Sequence, residues 1–213
     1  EKIGIKADRK KFFNHIKKLN LRNSIFIDNT ASEEIADEYV SYLKNSIGVV
    51  TCNKIACASN LDNYNNLKKT ARRFVTPFLF ETNVGAALPI IDTLNNLIAS
   101  GDKILEIQAI LSGSLNYIFN NYKLNTTFKN IVQKAQKEGY TEPDPKIDLS
   151  GIDVARKILI LGRESGFKLE LDDITNNSFI PEEVLKSDNN DELYKSIDRY
   201  ESHFRSILES AIK

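Results

Sequence analysis

Methionine and tryptophan are absent from all 213 residues, and cysteine occurs only twice. Each shortage removes a class of explanation. Cys52 and Cys57 have no further cysteine to pair with, and they read as reduced thiols. His15 and His203 lie far from them and from each other, whereas a zinc site takes about four such ligands, usually in close pairs. A structural zinc is therefore not expected. Charge of one sign is not in excess: 29 Lys and Arg balance 29 Asp and Glu. That removes the electrostatic case for nucleic acid or an anionic membrane and leaves a small molecule as the expected partner. No apolar run approaches the ~18 residues that span a bilayer, and no secretory signal opens the chain, so a cytoplasmic protein is expected. A chain that starts on Glu and holds no Met leads us to expect missing sequence, both upstream and at dropped methionine positions.

What is present centres on residues 139–161, GYTEPDPKIDLSGIDVARKILIL. Pro143 and Pro145 fix φ on either side of Asp144, so Glu142 and Asp144 sit on a stiff loop. Asp148 or Ser150 can cap the helix that follows, with Gly151 in its first turn. From Ile152 to Leu161 only Asp153, Arg156 and Lys157 are polar. Such a helix is expected to be buried. Asp153 and Lys157, four apart, would share one face. An ordinary ion pair at that spacing stabilises a helix by only tenths of a kcal/mol. A buried Asp and Lys are costly unless paired or used, which points to a site.

Upstream, residues 24–28, 48–51 and 75–80 read as strands, with helices expected over 33–44 and 61–73. Strands and helices alternating at this spacing predict a parallel sheet. Thr30 and Ser32, then Asn53 and Lys54, then Glu81 to Asn83 follow the strands' carboxyl ends, where open parallel sheets bind ligands. The Gly-rich phosphate turn expected between strand and helix is missing, and the sheet looks too small to stand alone. Helices are expected over 89–100, 114–121 and 128–138, a strand over 103–111, and a surface helix over 191–212.

Several stretches together resemble homoserine dehydrogenase: TEPDP with DLSGIDVARK at 141–157, ETNVGAALP at 81–89, LSGSLNYIF at 111–119 and VVTCNK at 49–54. The form they resemble is the one fused behind an aspartokinase. The likeness covers roughly residues 24–175. It implies NAD(P)-dependent interconversion of homoserine and aspartate 4-semialdehyde in threonine and methionine biosynthesis. By this resemblance Lys157 would be the general acid, with Asp153 and Glu142 holding the amino acid substrate. Lys54 would lie beside the cofactor and the reacting carbonyl, and Thr30 and Gly139 match cofactor-contacting positions. Glu81, Val84, Ala86 and Leu88 correspond to a sodium-binding turn. Ala87 departs from a glycine usual in that turn, and Cys52 from a proline. The implied architecture is α/β: an incomplete Rossmann-type parallel sheet over 1–75, then an α+β catalytic and dimerisation domain over 76–213. In it, the strand at 103–111 would serve a homodimer or a higher homo-oligomer.

Two other readings compete. One is a related amino acid semialdehyde dehydrogenase, against which the set of Glu142, Asp153 and Lys157 argues. The other is a cofactor-free dimerisation or regulatory remnant, favoured only by the missing Gly-rich turn.

Overall fold

The computed structural model describes residues 6–212. The chain forms two compact units. One holds the residues up to Leu105 together with Lys157–Asp173, and the other holds Glu106–Arg156 with the residues from Ile174 onward.

The first unit is built on three parallel strands, β1 (Ile25–Asp28), β2 (Gly48–Thr51) and β3 (Phe78–Leu79), in the order β1-β2-β3. Phe26, Val49 and Phe78 stand in register as one row, and Ile27, Val50 and Leu79 as the next. The first row faces the core. Phe26 stacks on Tyr42 with ring centroids 4.1 Å apart, and Tyr39 lies 6.0 Å from Phe78. The second row is open: Ile27 is 62% exposed and Leu79 55%. The apolar run at 24–28 is thus buried on one face only. Val75, at φ 49°, leaves only Phe78 and Leu79 of the expected 75–80 strand in the sheet.

Helix α1 (Arg9–Leu19) precedes β1. The helix expected over 33–44 is broken into α2 (Glu33–Ala36) and α3 (Tyr39–Lys44), and the break turns Tyr39 inward toward the strand ends. After β2 come α4 (Ile55–Ala58) and α5 (Leu61–Arg73). Asn60 accepts from the Asn63 amide at 2.8 Å, capping α5, whose Tyr64, Leu67 and Thr70 recur every third residue and are buried. Helix α6 (Ile90–Ala99) follows β3.

No strand forms over 103–111 among the described residues. A strand exists through its ladder partners, and here the segment exposes Leu105 at 94% and Ile110 at 80%. Its apolar pattern therefore reads as a strand in sequence without becoming one in this chain.

In the second unit the described residues form helices: α7 (Gly113–Asn121), α8 (Phe128–Lys137), α9 (Lys146–Leu149), α11 (Glu182–Leu185), α12 (Asn190–Arg199) and α13 (Glu201–Ile212). Helix α10 (Ile152–Glu164) contributes Ile152–Arg156 to this unit and Lys157–Glu164 to the first. The core gathers Ile118, Phe128, Ile131, Val132, Leu193, Ile197 and Phe204, with Phe128 stacked on Phe204 at 4.1 Å. The expected surface helix over 191–212 is thus two helices meeting at Tyr200, and their apolar positions help build the core.

Candidate active site

At the carboxyl ends of β1 and β2 the sequence places Asp28, Thr51 and Asn53, all buried. Burial alone would raise the Asp28 pKa. Hydrogen bonds from the Tyr39 hydroxyl, the Thr30 amide and hydroxyl, and Asn53 outweigh it and hold the carboxyl below its usual range. The Thr30 amide donates to Oδ1 at 2.8 Å, Asn53 Nδ2 donates to Oδ2 at 3.1 Å, and the Tyr39 hydroxyl also bonds Oδ2. Burial first, and then the Asp28 carboxylate, push the Tyr39 phenol well above its ordinary value. Thr51 Oγ1 lies 2.8 Å from that hydroxyl and accepts from the Asn53 amide at 2.9 Å. With its amide oriented to satisfy both carbonyls, buried Asn83 donates to Thr51 O and Cys52 O, each at 3.1 Å. The three strand ends are therefore locked by one polar network.

Thr30 emerges from this network exposed, its Oγ1 accepting from the Ser32 amide at 3.1 Å. Lys54 follows Asn53 directly as the residue preceding α4, and it is half-buried. Lys157 belongs to the same compact unit and is also half-buried, so the sequence expectation of a fully enclosed lysine does not hold for the side chain as a whole. The deeply buried charges of α10 come later, at Arg163 (4% exposed) and Glu164 (6%).

Those two side chains were not singled out by sequence reading, although the polar pair in ILILGRESG breaks an apolar run. Arg163 Nη1 donates to the carbonyls of Cys57 at 3.0 Å and Ser59 at 2.7 Å. Its Nε donates to Leu169 O at 3.0 Å, and Nη2 to Glu170 Oε2 at 3.0 Å. Burial draws the guanidinium pKa below its usual value, which Glu170 counters. Glu164 accepts from Lys68 Nζ at 2.9 Å and 3.0 Å and from the Tyr64 hydroxyl. Burial, with the Glu164 charge second, pushes the neighbouring Cys57 thiol well up.

Glu81 sits in a short turn before α6 and takes the role of a helix cap. Its Oε1 accepts from the Ile91 amide and Oε2 from the Asp92 amide, both at 2.8 Å. Gly85 (φ 82°) and Ala86 (φ 54°) supply the left-handed backbone of the turn, so the departure at Ala87 falls outside its demanding positions. Val84 is fully buried, and Leu88 O accepts from the Ile90 amide at 2.9 Å.

In the second unit, Gly139 adopts φ 78° at the end of α8, beside Tyr117 and Tyr140, which stack at 4.0 Å. The Glu142 side chain is exposed, while its amide donates to Asp148 Oδ2 at 2.9 Å. Asp148 Oδ1 accepts from Ser114 Oγ at 2.6 Å. Asp148, weighed from sequence only as a helix cap, therefore fastens the loop that presents Glu142. Gly151 takes φ 75° just before α10 instead of lying in its first turn, and its carbonyl accepts from the Ala155 amide at 2.9 Å. Asp153 lies in the first turn of α10 and is half-buried. Of the residues singled out from sequence, Thr30, Lys54, the Glu81–Leu88 turn and Lys157 fall in the first unit, and Gly139, Glu142 and Asp153 in the second.

Residues 2–81 match the sequence profile described as homoserine dehydrogenase, NAD binding domain, and residues 89–210 match that of homoserine dehydrogenase. A relative from Zea mays named bifunctional aspartokinase/homoserine dehydrogenase 1, chloroplastic, is 44% identical over 92% of this chain and 21% of its own. Among solved structures, a Candida auris protein of unknown function superposes with a TM-score of 0.89 at 32% identity, covering 98% of this chain and 60% of that one. A hyperthermophilic archaeal homoserine dehydrogenase in complex with NADPH gives 0.60 at 30% identity, over 66% of this chain and 43% of that one. The chain thus spans about a fifth of the length of the maize relative. With one profile matched over more than half of its residues, the chain belongs to the homoserine dehydrogenase family.

Proposed function

We propose that the protein carrying this chain interconverts L-homoserine and L-aspartate 4-semialdehyde with NADP, or NAD, in the cytoplasm, as a step of threonine and methionine biosynthesis. In this reading, residues 1–75 are part of the cofactor-binding domain and residues 76–213 form the catalytic and dimerisation domain. The observation that carries it is the buried network of Asp28, Tyr39, Thr51 and Asn53, which fixes the strand ends from which Thr30 and Lys54 emerge. That is where a parallel sheet takes a dinucleotide. The residues fit one, because Thr30 offers an exposed hydroxyl and Lys54 a cation. The NADPH complex of the archaeal relative supports the same choice.

When bound, the nicotinamide supplies or accepts the hydride. Reduction of an aldehyde builds negative charge on its oxygen, so a proton donor within about 3 Å is needed. The Lys157 ammonium would supply that proton, with Asp153 one helical turn earlier on the same helix. Lys54 would add a second positive charge beside the carbonyl. Glu142, on its fastened loop, would bind the substrate ammonium, and Asp153 would share that task. Gly139 would let the backbone approach the cofactor closely, since it has no side chain.

A sodium ion would be held at the turn by main-chain oxygens of Val84, Ala86 and Leu88. An all-oxygen donor set suits a hard cation. The Glu81 carboxylate, though occupied with the amides of α6, would supply the negative charge. The exposed apolar side chains of Leu105 and Ile110 support the homodimer, since a second copy would cover them.

The decisive experiment is NADPH oxidation by the full-length protein with aspartate semialdehyde, and the reverse with homoserine. Turnover in both directions is expected. Absence of NADPH binding would instead favour a remnant without catalysis.

A further inference from the structure

We propose that Arg163 is a positioning residue that sets where Lys54 stands. This rests on the reading above, in which Lys54 serves the cofactor and the carbonyl.

Lys54 opens a single-turn helix, and that turn is gripped at both ends. At its start, Asn53 is fixed by its side chain: Nδ2 donates to Asp28 Oδ2 and Ser32 O, and Oδ1 accepts from the Ile55 amide at 3.0 Å. At its end, the carbonyls of Cys57 and Ser59 both accept from Arg163 Nη1. Between them, Lys54 O accepts from the Ala58 amide at 2.8 Å, so the lysine and the gripped carbonyls move as one turn. A four-residue helix has no stability of its own and takes its place from such anchors.

Arg163 stands on α10 six residues after Lys157, about 9 Å along the axis. One rigid helix therefore carries the proposed proton donor and the group that holds the turn bearing Lys54. The guanidinium side chain is fully enclosed, with four of its five N–H groups spent on named acceptors. Its planar fork donates from three nitrogens at once, Nη1 to the two carbonyls of the turn, Nε to Leu169 O and Nη2 to Glu170, which the single nitrogen of a lysine cannot reproduce. Glu170 completes the seat: Oε2 takes Arg163 Nη2, and Oε1 accepts from the Leu61 amide at 2.9 Å at the start of α5. Glu164, equally buried on α10, makes its hydrogen bonds among the described residues to the α5 side chains Tyr64 and Lys68, so it grips the neighbouring helix without a hydrogen bond to the turn that begins at Lys54.

That difference makes the test. In the full-length protein, Arg163→Lys, Glu164→Gln and Glu170→Gln are compared by thermal melting, NADPH fluorescence titration without substrate, and homoserine turnover below the lowest melting range. Arg163→Lys is expected to weaken NADPH binding at least threefold and lower kcat at least tenfold. Glu164→Gln is expected to lower the melting temperature while both readouts stay within twofold of wild type. If Arg163→Lys does not fold, Glu170→Gln decides, with kcat expected to fall at least threefold. NADPH binding or turnover within twofold of wild type in the deciding variant overturns the proposal. So does an equal loss in Glu164→Gln, which would reduce Arg163 to general support of α10. A wild-type protein without homoserine turnover overturns the functional reading itself, whereas an active wild type with an unaffected deciding variant overturns only the role of Arg163.

Discussion

Asn53 donates its side-chain amide to Asp28 Oδ2 at 3.1 Å, joining the ends of the first two strands through buried side chains. The carboxylate accepts from three partners at once, and only the ionised form can do so fully. Asp28→Asn puts an NH2 group where acceptors are required. It should destabilise the protein by about 2–3 kcal/mol, measured by urea unfolding at neutral pH. The sign of the pH dependence follows from the depressed pKa. The stabilisation is complete above the unfolded carboxyl value near 4 and is lost as the pH falls through the lower folded value. The wild type should therefore lose part of its stability below about pH 4, and the Asp28→Asn curve should be flatter there. Parallel curves would remove Asp28 from the acid transition.

At the turn before α6, two adjacent residues respond oppositely to substitution. A Cβ on Gly85 would meet Ile90 Cγ1 at 2.5 Å, and φ is 82°. Gly85→Ala should destabilise by about 2 kcal/mol or more, from strain and overlap together. Ala86 already carries a Cβ at φ 54°. Ala86→Gly removes that strain at the cost of chain entropy, so it should be neutral to stabilising, by up to about 1 kcal/mol. Thermal melting of the two variants checks the pair. Melting changes of equal sign would contradict the assigned turn.

Most of the sheet, and the places in the fold of the candidate site residues, were legible because they follow local rules. Strand ends, caps and prolines act within a few residues, so Thr30, Lys54 and the stiff loop around Glu142 could be placed from the sequence. The role of Arg163 was not legible, because the two acceptors that tie it to the turn after Lys54 lie more than a hundred positions away and are backbone carbonyls without any sequence signature. Asp148 was legible only as a cap, since its partnership with Ser114 spans 34 positions. The strand expected at 103–111 failed for another reason: periodicity reports what could pair, and pairing needs a second edge.

The proposed roles of Lys157 and Glu142 separate in kinetics. A proton donor matters chiefly in the transition state, so Lys157→Ala should lower kcat by orders of magnitude with little change in NADPH affinity. Glu142 would bind ground state and transition state alike. Glu142→Ala should mainly raise KM for homoserine. Near-wild-type turnover in the first variant would withdraw the proton-donor assignment, and an unchanged KM in the second would take Glu142 out of the substrate site.

Ser114 offers a way to disturb Glu142 without touching it. Its hydroxyl, in a side chain only 8% exposed, donates to Asp148 Oδ1 at 2.6 Å, while Asp148 Oδ2 holds the Glu142 amide. Hydrogen bonds to charged groups contribute about 1.5–3 kcal/mol. Asp148 is half-buried, so water replaces part of what Ser114→Ala removes. A residual loss near 1 kcal/mol in the placement of the loop corresponds to roughly a fivefold change in binding, since about 1.4 kcal/mol is tenfold. Ser114→Ala should accordingly raise KM for homoserine about three- to tenfold, with a smaller effect on kcat. In Glu142→Ala the same substitution should add almost nothing, because two changes acting on one contact are not additive. Full additivity would mean that Ser114 supports the core of its unit and not the presentation of Glu142.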